Sequence, residues 1–103
     1  MDCNTDLSST GIRPVVIEEL RMLAETYGIN KVILFGSRAR GDWRRDSDID
    51  LAVSGGNIDL FRLAVEDKTS TLLCYDVVCL DHDIGEELYH SIEREGLVLY
   101  EKV

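Results

Sequence analysis

The apolar run Val32-Ile33-Leu34-Phe35 leads straight into Gly36-Ser37. It is too short for a helix and reads as a buried strand. Ten residues further on, Asp48 to Val53 alternates: Ile49, Leu51 and Val53 face one way, and Asp48, Asp50 and Ala52 the other. Leu72 to Leu80 repeats the pattern, with Leu73, Tyr75, Val77 and Cys79 on one side and Cys74, Asp76 and Val78 on the other. Acids set into strands commit one sheet end to charge. Asp48 and Asp50 stand on one face, about 7 Å apart along the backbone, and Asp76 can join them from a neighbouring strand. Three such carboxylates do not all ionise comfortably without a cation. Divalent ions resolve the repulsion, and magnesium commonly combines protein carboxylates with substrate phosphate oxygens. Two ions about 3.5–4 Å apart would polarise the attacking and leaving oxygens of a phosphoryl transfer.

The Gly-Ser turn supplies the complementary chemistry. A strand that ends there and enters a helix aims free N–H groups at whatever lies beyond, and an anion fits. Ser37 is placed to cap that short helix and Gly41 to end it. The pattern is not a phosphate-binding Walker loop, because Asp42-Trp43 follows Gly41 where Lys-Ser/Thr would be needed. Four of the 11 bases, Arg38, Arg40, Arg44 and Arg45, sit just before Asp46, Asp48 and Asp50. Both signs side by side suit a phosphate ligand held with metal; the plainer alternative is a solvated, self-compensating loop.

The remaining pattern alternates helix and strand. Ile12, Val16, Leu20, Leu23 and Tyr27 form one stripe, so a helix is expected over 13–27, with Pro14 in its first turn and Gly28 just past its end. Asn57 caps a helix over 58–67 whose inner face is Leu60, Phe61 and Ala64. Asp83 and Glu86 make a capping-box pattern before a last helix through Ile84, Leu88 and Ile92 to Gly96. Leu97 to Tyr100 adds a short edge strand. This order predicts one layered α/β or α+β domain over 11–103 behind a flexible tail, residues 1–10.

With 20 acids against 11 bases, the net charge of −9 opposes nonspecific nucleic-acid binding. No apolar run approaches the roughly 18 residues of a membrane span, and the N-terminus lacks a signal-peptide pattern. Three cysteines without metal-ligand spacing read as reduced, cytosolic thiols, Cys74 and Cys79 being small buried side chains. His82 reads as a surface turn residue, and His90 has no ligand partner at fitting spacing. Trp43 either stacks on a base or partner or lies over its own short helix. Tyr89 and Tyr100 read as core or edge packing.

Gly36-Ser37-Arg38-Ala39-Arg40-Gly41 together with Ser47-Asp48-Ile49-Asp50-Leu51 resembles the signature of the DNA polymerase β-like nucleotidyltransferases, in particular the minimal single-domain type. The likeness extends to the later acid in Tyr75-Asp76-Val77-Val78 and to the ending Glu95-Gly96-Leu97-Val98-Leu99-Tyr100. It implies a small mixed sheet of three to four strands, with helices mainly on one face. By position it makes Asp48, Asp50 and Asp76 the catalytic metal ligands for two Mg²⁺ ions, and Gly36 and Ser37 the phosphate-binding pair. Arg38, Arg40 and Ser47 join them at the nucleotide, with ATP as substrate. Minimal nucleotidyltransferases are typically partnered by HEPN-domain toxins, so the resemblance implies an antitoxin that transfers AMP to a toxin tyrosine. Because the sequence stops soon after the fold is complete, a partner or a second copy is expected to wall the cleft. Two alternatives stand beside this: neutralisation by occlusion alone, and transfer to a small hydroxyl compound such as an aminoglycoside.

Overall fold

The apolar stripe from Ile12 to Tyr27 forms the first helix, α1 (Pro14–Thr26), in a computed structural model that describes residues 7–102. Pro14 opens it, where its missing N–H costs nothing, and Gly28 follows its end at φ 70°. The chain then runs through β1 (Lys31–Phe35), α2 (Ser37–Arg40), β2 (Ile49–Ser54), α3 (Ile58–Lys68), β3 (Tyr75–Cys79), α4 (Glu86–Glu95) and β4 (Leu97–Glu101). The sheet order is β3-β2-β1-β4. Strand β1 is antiparallel to both β2 and β4, while β2 and β3 are parallel, as a helical crossover through α3 requires.

The two sheet faces are covered unequally. On one, α1 and α3 bury Val16, Leu20, Phe61 and Val65 against Val32, Leu34, Ile49, Leu51 and Val53. On the other, Ile92 of α4, with Ile84 and Leu88, packs on Phe35 and Ala52. The alternation read in β2 therefore sorts its residues as expected. Asp50 shares the α4 side with Ala52, and Asp48 lies just before the strand.

Local chemistry shifts several boundaries. The expected strand over 72–80 shortens to Tyr75–Cys79, because the Thr71 hydroxyl accepts from Leu73 N–H (3.1 Å) and holds a turn there. The capping box at Asp83 does not form: its carboxylate accepts from Gly85 N–H (3.1 Å), and α4 starts only at Glu86. Ser37 does not cap α2; Gly36 occupies the cap position and Ser37 is the first helical residue. On α3 the inner face is Phe61, Ala64 and Val65, and Leu60 is exposed, while Asn57 caps the helix by accepting from Leu60 N–H (3.2 Å). Cys74 is exposed and Cys79 half-buried, because Cys74 precedes the strand and Cys79 ends it.

Of the expected tail, residues 1–6 lie outside the described residues, whereas Ser8–Thr10 form a 3₁₀ turn and Thr10 is fully buried. Arg38 explains why. Its guanidinium is 1% exposed and donates to the carbonyls of Thr10 (2.9 Å), Ser47 (3.1 Å), Arg44 and Arg45 (both 3.4 Å). It also lies 4.9 Å over the Trp43 ring, whose Nε1 donates to Ser9 O at 2.7 Å. One buried cation thus ties the N-terminal turn to the 42–47 loop. We expect Arg38→Met to cost about 3 kcal/mol in urea unfolding, because the carbonyls of Thr10 and Ser47 lose a charged donor. Arg38→Lys should recover part of it, since an ammonium cannot span the same acceptors.

Candidate active site

Register brings the acids together. Across the antiparallel pair Phe35 faces Asp50, and across the parallel pair Asp50 faces Asp76. Asp48 lies just before β2, and its charge acts on Asp50. The exit of β1 meets the same point: a Cβ on Gly36, which has φ 77°, would lie 2.2 Å from Asp50 Oδ2. Glycine is needed there both for the backbone and for the carboxylate packed against it.

The electrostatics follow from that crowding. Asp50 is half-buried, and its pKa is raised first by burial, then by the charges of Asp76 and Asp48. Arg40 is the cation that opposes the rise. Asp48 and Asp76 are exposed. Among the described residues no three His, Cys, Asp or Glu side chains converge closely enough to hold a metal ion. The donor set nonetheless suits a hard divalent cation: three carboxylates at one sheet end, one already resisting ionisation.

The other expected residues divide. Ser37 follows Gly36 as the first residue of α2, whose internal bonds begin with Ala39 and Arg40 N–H on Gly36 O (3.1 and 3.0 Å). Arg40 is exposed, with Nη1 at 3.2 and 3.3 Å from the two oxygens of Glu95 and Nε at 3.3 Å from Asp42 Oδ2. These bonds, Asp42 first and Glu95 second, raise its pKa. Arg38, read from the sequence as a nucleotide contact, is buried and spends its donors on carbonyls instead. Ser47 shapes the loop: its hydroxyl accepts from Arg44 N–H (2.7 Å) and its carbonyl from Arg38. Of the two open readings of Trp43, the structure favours packing on its own helix, through Arg38. His82 is an exposed turn residue, and His90 lies between Glu86 and Glu93 on α4. Glu95 escaped sequence reasoning, because nothing local ties it to a residue 55 positions earlier.

With this geometry in hand, the family described as "Polymerase beta, Nucleotidyltransferase" matches residues 18–103. The chain belongs to this family. A relative from Methanocaldococcus jannaschii, provisionally named a protein adenylyltransferase, is 40% identical over 81 residues, covering 70% of this chain and 79% of its own. A solved structure described as a minimal nucleotidyltransferase is 27% identical, with a TM-score of 0.65 over 93% of this chain and 98% of that one. The fold is also that of a toxin–antitoxin structure with AMP-PNP, at 23% identity and a TM-score of 0.66 over 84% of this chain and 73% of that one.

Two outcomes follow for the nucleotidyltransferase site. Gly36→Ala should destabilise the fold by about 2 kcal/mol in denaturant titration, through positive φ and collision with Asp50. Asp50→Asn should raise the melting temperature at neutral pH without divalent ions. The sign follows from the raised pKa: folded Asp50 holds its proton more tightly than unfolded Asp50, so its charge is a liability above the folded pKa. The advantage of the variant should shrink as pH falls through that raised value.

Proposed function

We propose that this nucleotidyltransferase is a magnesium-dependent antitoxin that transfers AMP from ATP to a tyrosine hydroxyl of a partner HEPN-domain toxin. The observation that carries the reading is the placement of Asp50, beside Asp76 and against the α-carbon of Gly36. It joins the acidic pair to the turn that matches the family's phosphate-binding position. The name of the Methanocaldococcus jannaschii relative supports a protein acceptor, and the toxin–antitoxin neighbour supports a toxin partner.

Asp48, Asp50 and Asp76 would hold the magnesium ions, which supply charge neutralisation around the reacting phosphate. Gly36 and Ser37 would take the β- and γ-phosphates on main-chain N–H groups and the hydroxyl. Arg40 adds a positive charge within electrostatic reach of Asp50. The tyrosine oxygen attacks the α-phosphorus, the bond to the bridging oxygen breaks, pyrophosphate leaves and the hydroxyl proton passes to water. The contribution of the protein is positioning and electrostatic complementarity.

The test is incubation with labelled ATP and magnesium, with and without the product of the adjacent gene, followed by mass measurement of both chains. AMP is expected on a tyrosine of the partner. Asp48→Asn and Asp50→Asn should each lower transfer at least about 100-fold. Undiminished transfer by both variants overturns the mechanism. Neutralisation by the variants without ATP would establish occlusion instead.

A further inference from the structure

Arg40 closes α2 one turn beyond Gly36, with its N–H on Gly36 O at 3.0 Å, and two carboxylates share its guanidinium. They are not equivalent. Glu95 offers both oxygens to Nη1, at 3.2 and 3.3 Å, and its side chain is only 17% exposed. Its backbone is pinned as well: Gly96 N–H donates to Ile92 O at 2.8 Å, and a Cβ on Gly96 would come within 2.5 Å of Ile33 Cγ2. The end of α4 thus lies hard against β1. Asp42 reaches Nε with one oxygen at 3.3 Å from a loop just past Gly41, and its side chain is 64% exposed. Both pairs share a guanidinium that water reaches, so both are modest, and the one whose acid is also open to water is the weaker.

We infer that the two acids divide the work on Arg40: Glu95 is a positioning residue that fixes the guanidinium at the edge of the acidic triad, and Asp42 is a stand-in that a nucleotide phosphate displaces. With both in place, one cation faces two anions and is over-neutralised. A phosphate oxygen arriving at Nε exchanges with Asp42 at small cost while Glu95 keeps the fork aligned. Arginine suits this arrangement because its planar fork can bind anions along two edges. The inference rests on the proposed nucleotide site and adds the residues that tune its affinity.

The experiment measures KM for ATP, kcat and melting temperature for the full chain with its acceptor. Asp42→Asn should lower KM about threefold by removing a competitor, and Glu95→Gln should raise it about tenfold, with kcat little changed by the former. A purely structural role would shift the melting temperatures alone and leave both KM values in place. In an Arg40→Gln background both KM effects should vanish, because neither acid then has its partner. Shifts of KM in the same direction, unchanged KM values, or effects that persist without Arg40 overturn the inference while leaving the function standing. A wild-type chain that neither binds nor consumes ATP overturns both. Should Glu95→Gln fail to fold, Asp42→Asn with and without Arg40→Gln decides the matter alone.

Discussion

Three like charges held at one end of a sheet are the constraint around which this structure is organised. Backbone pairing, not side-chain attraction, puts them there: the β2–β3 register sets Asp50 beside Asp76, and the β2–β1 register sets it beside Phe35. The ladders are fixed by the apolar faces of the strands, since a one-residue slip would turn Ile49, Leu51 and Val53 away from α1 and α3. The hydrophobic core therefore enforces a repulsion that the acids by themselves would avoid. Gly36 makes room for the crowded carboxylate and Arg40 offsets part of its charge. The raised pKa of Asp50, produced by burial and by the neighbouring acids, marks this sheet end as the candidate site.

The arginines illustrate how two neighbouring residues of one type are assigned opposite tasks. Arg38 and Arg40 lie two apart on a short helix, so they face different directions. Arg38 points inward, where burial lowers its pKa, but its donors find carbonyls and its face finds Trp43. It remains a charged group because its acceptors are numerous and fixed. Arg40 points outward to carboxylates that water can also reach. The inward one stabilises the loop before Asp48; the outward one places its charge where it acts on Asp50. Exchanging their roles would leave the loop untied and the triad without a counter-charge.

Strong periodicity made most of the fold legible. The stripe Ile12, Val16, Leu20 and the alternation Ile49, Leu51, Val53 depend only on neighbours within a few residues, and both appear as read. That Asp76 can stand beside Asp50 was also legible, because strand alternation and pairing decide it. What escaped was decided by competition for single hydrogen bonds. Asp83 had the pattern of a helix cap but found a closer donor in Gly85. Ser37 had the chemistry of a cap and was placed one residue too late. Thr10 looked like part of a tail, and its burial depends on a guanidinium 28 residues away. Arg38 looked like a ligand contact for the same reason that it makes a good internal strut: many donors in a rigid plane. Composition cannot distinguish those uses.

The overall charge bears on the site in a way that local geometry does not. A chain of net charge −9 repels a free triphosphate at long range, so its field opposes the approach of the proposed substrate. The same field concentrates divalent cations, and a nucleotide already carrying magnesium arrives with much of its charge cancelled. Long-range electrostatics then favour the metal-bound form, and recognition passes to short-range contacts where screening is weak. On the proposed function, that division gives the acids and Arg40 complementary parts. Acids alone would gather cations and hold no phosphate; a basic cleft would bind nucleotides stripped of metal. Brought to one sheet end beside Gly36, the two signs suit the metal-bound nucleotide proposed as substrate.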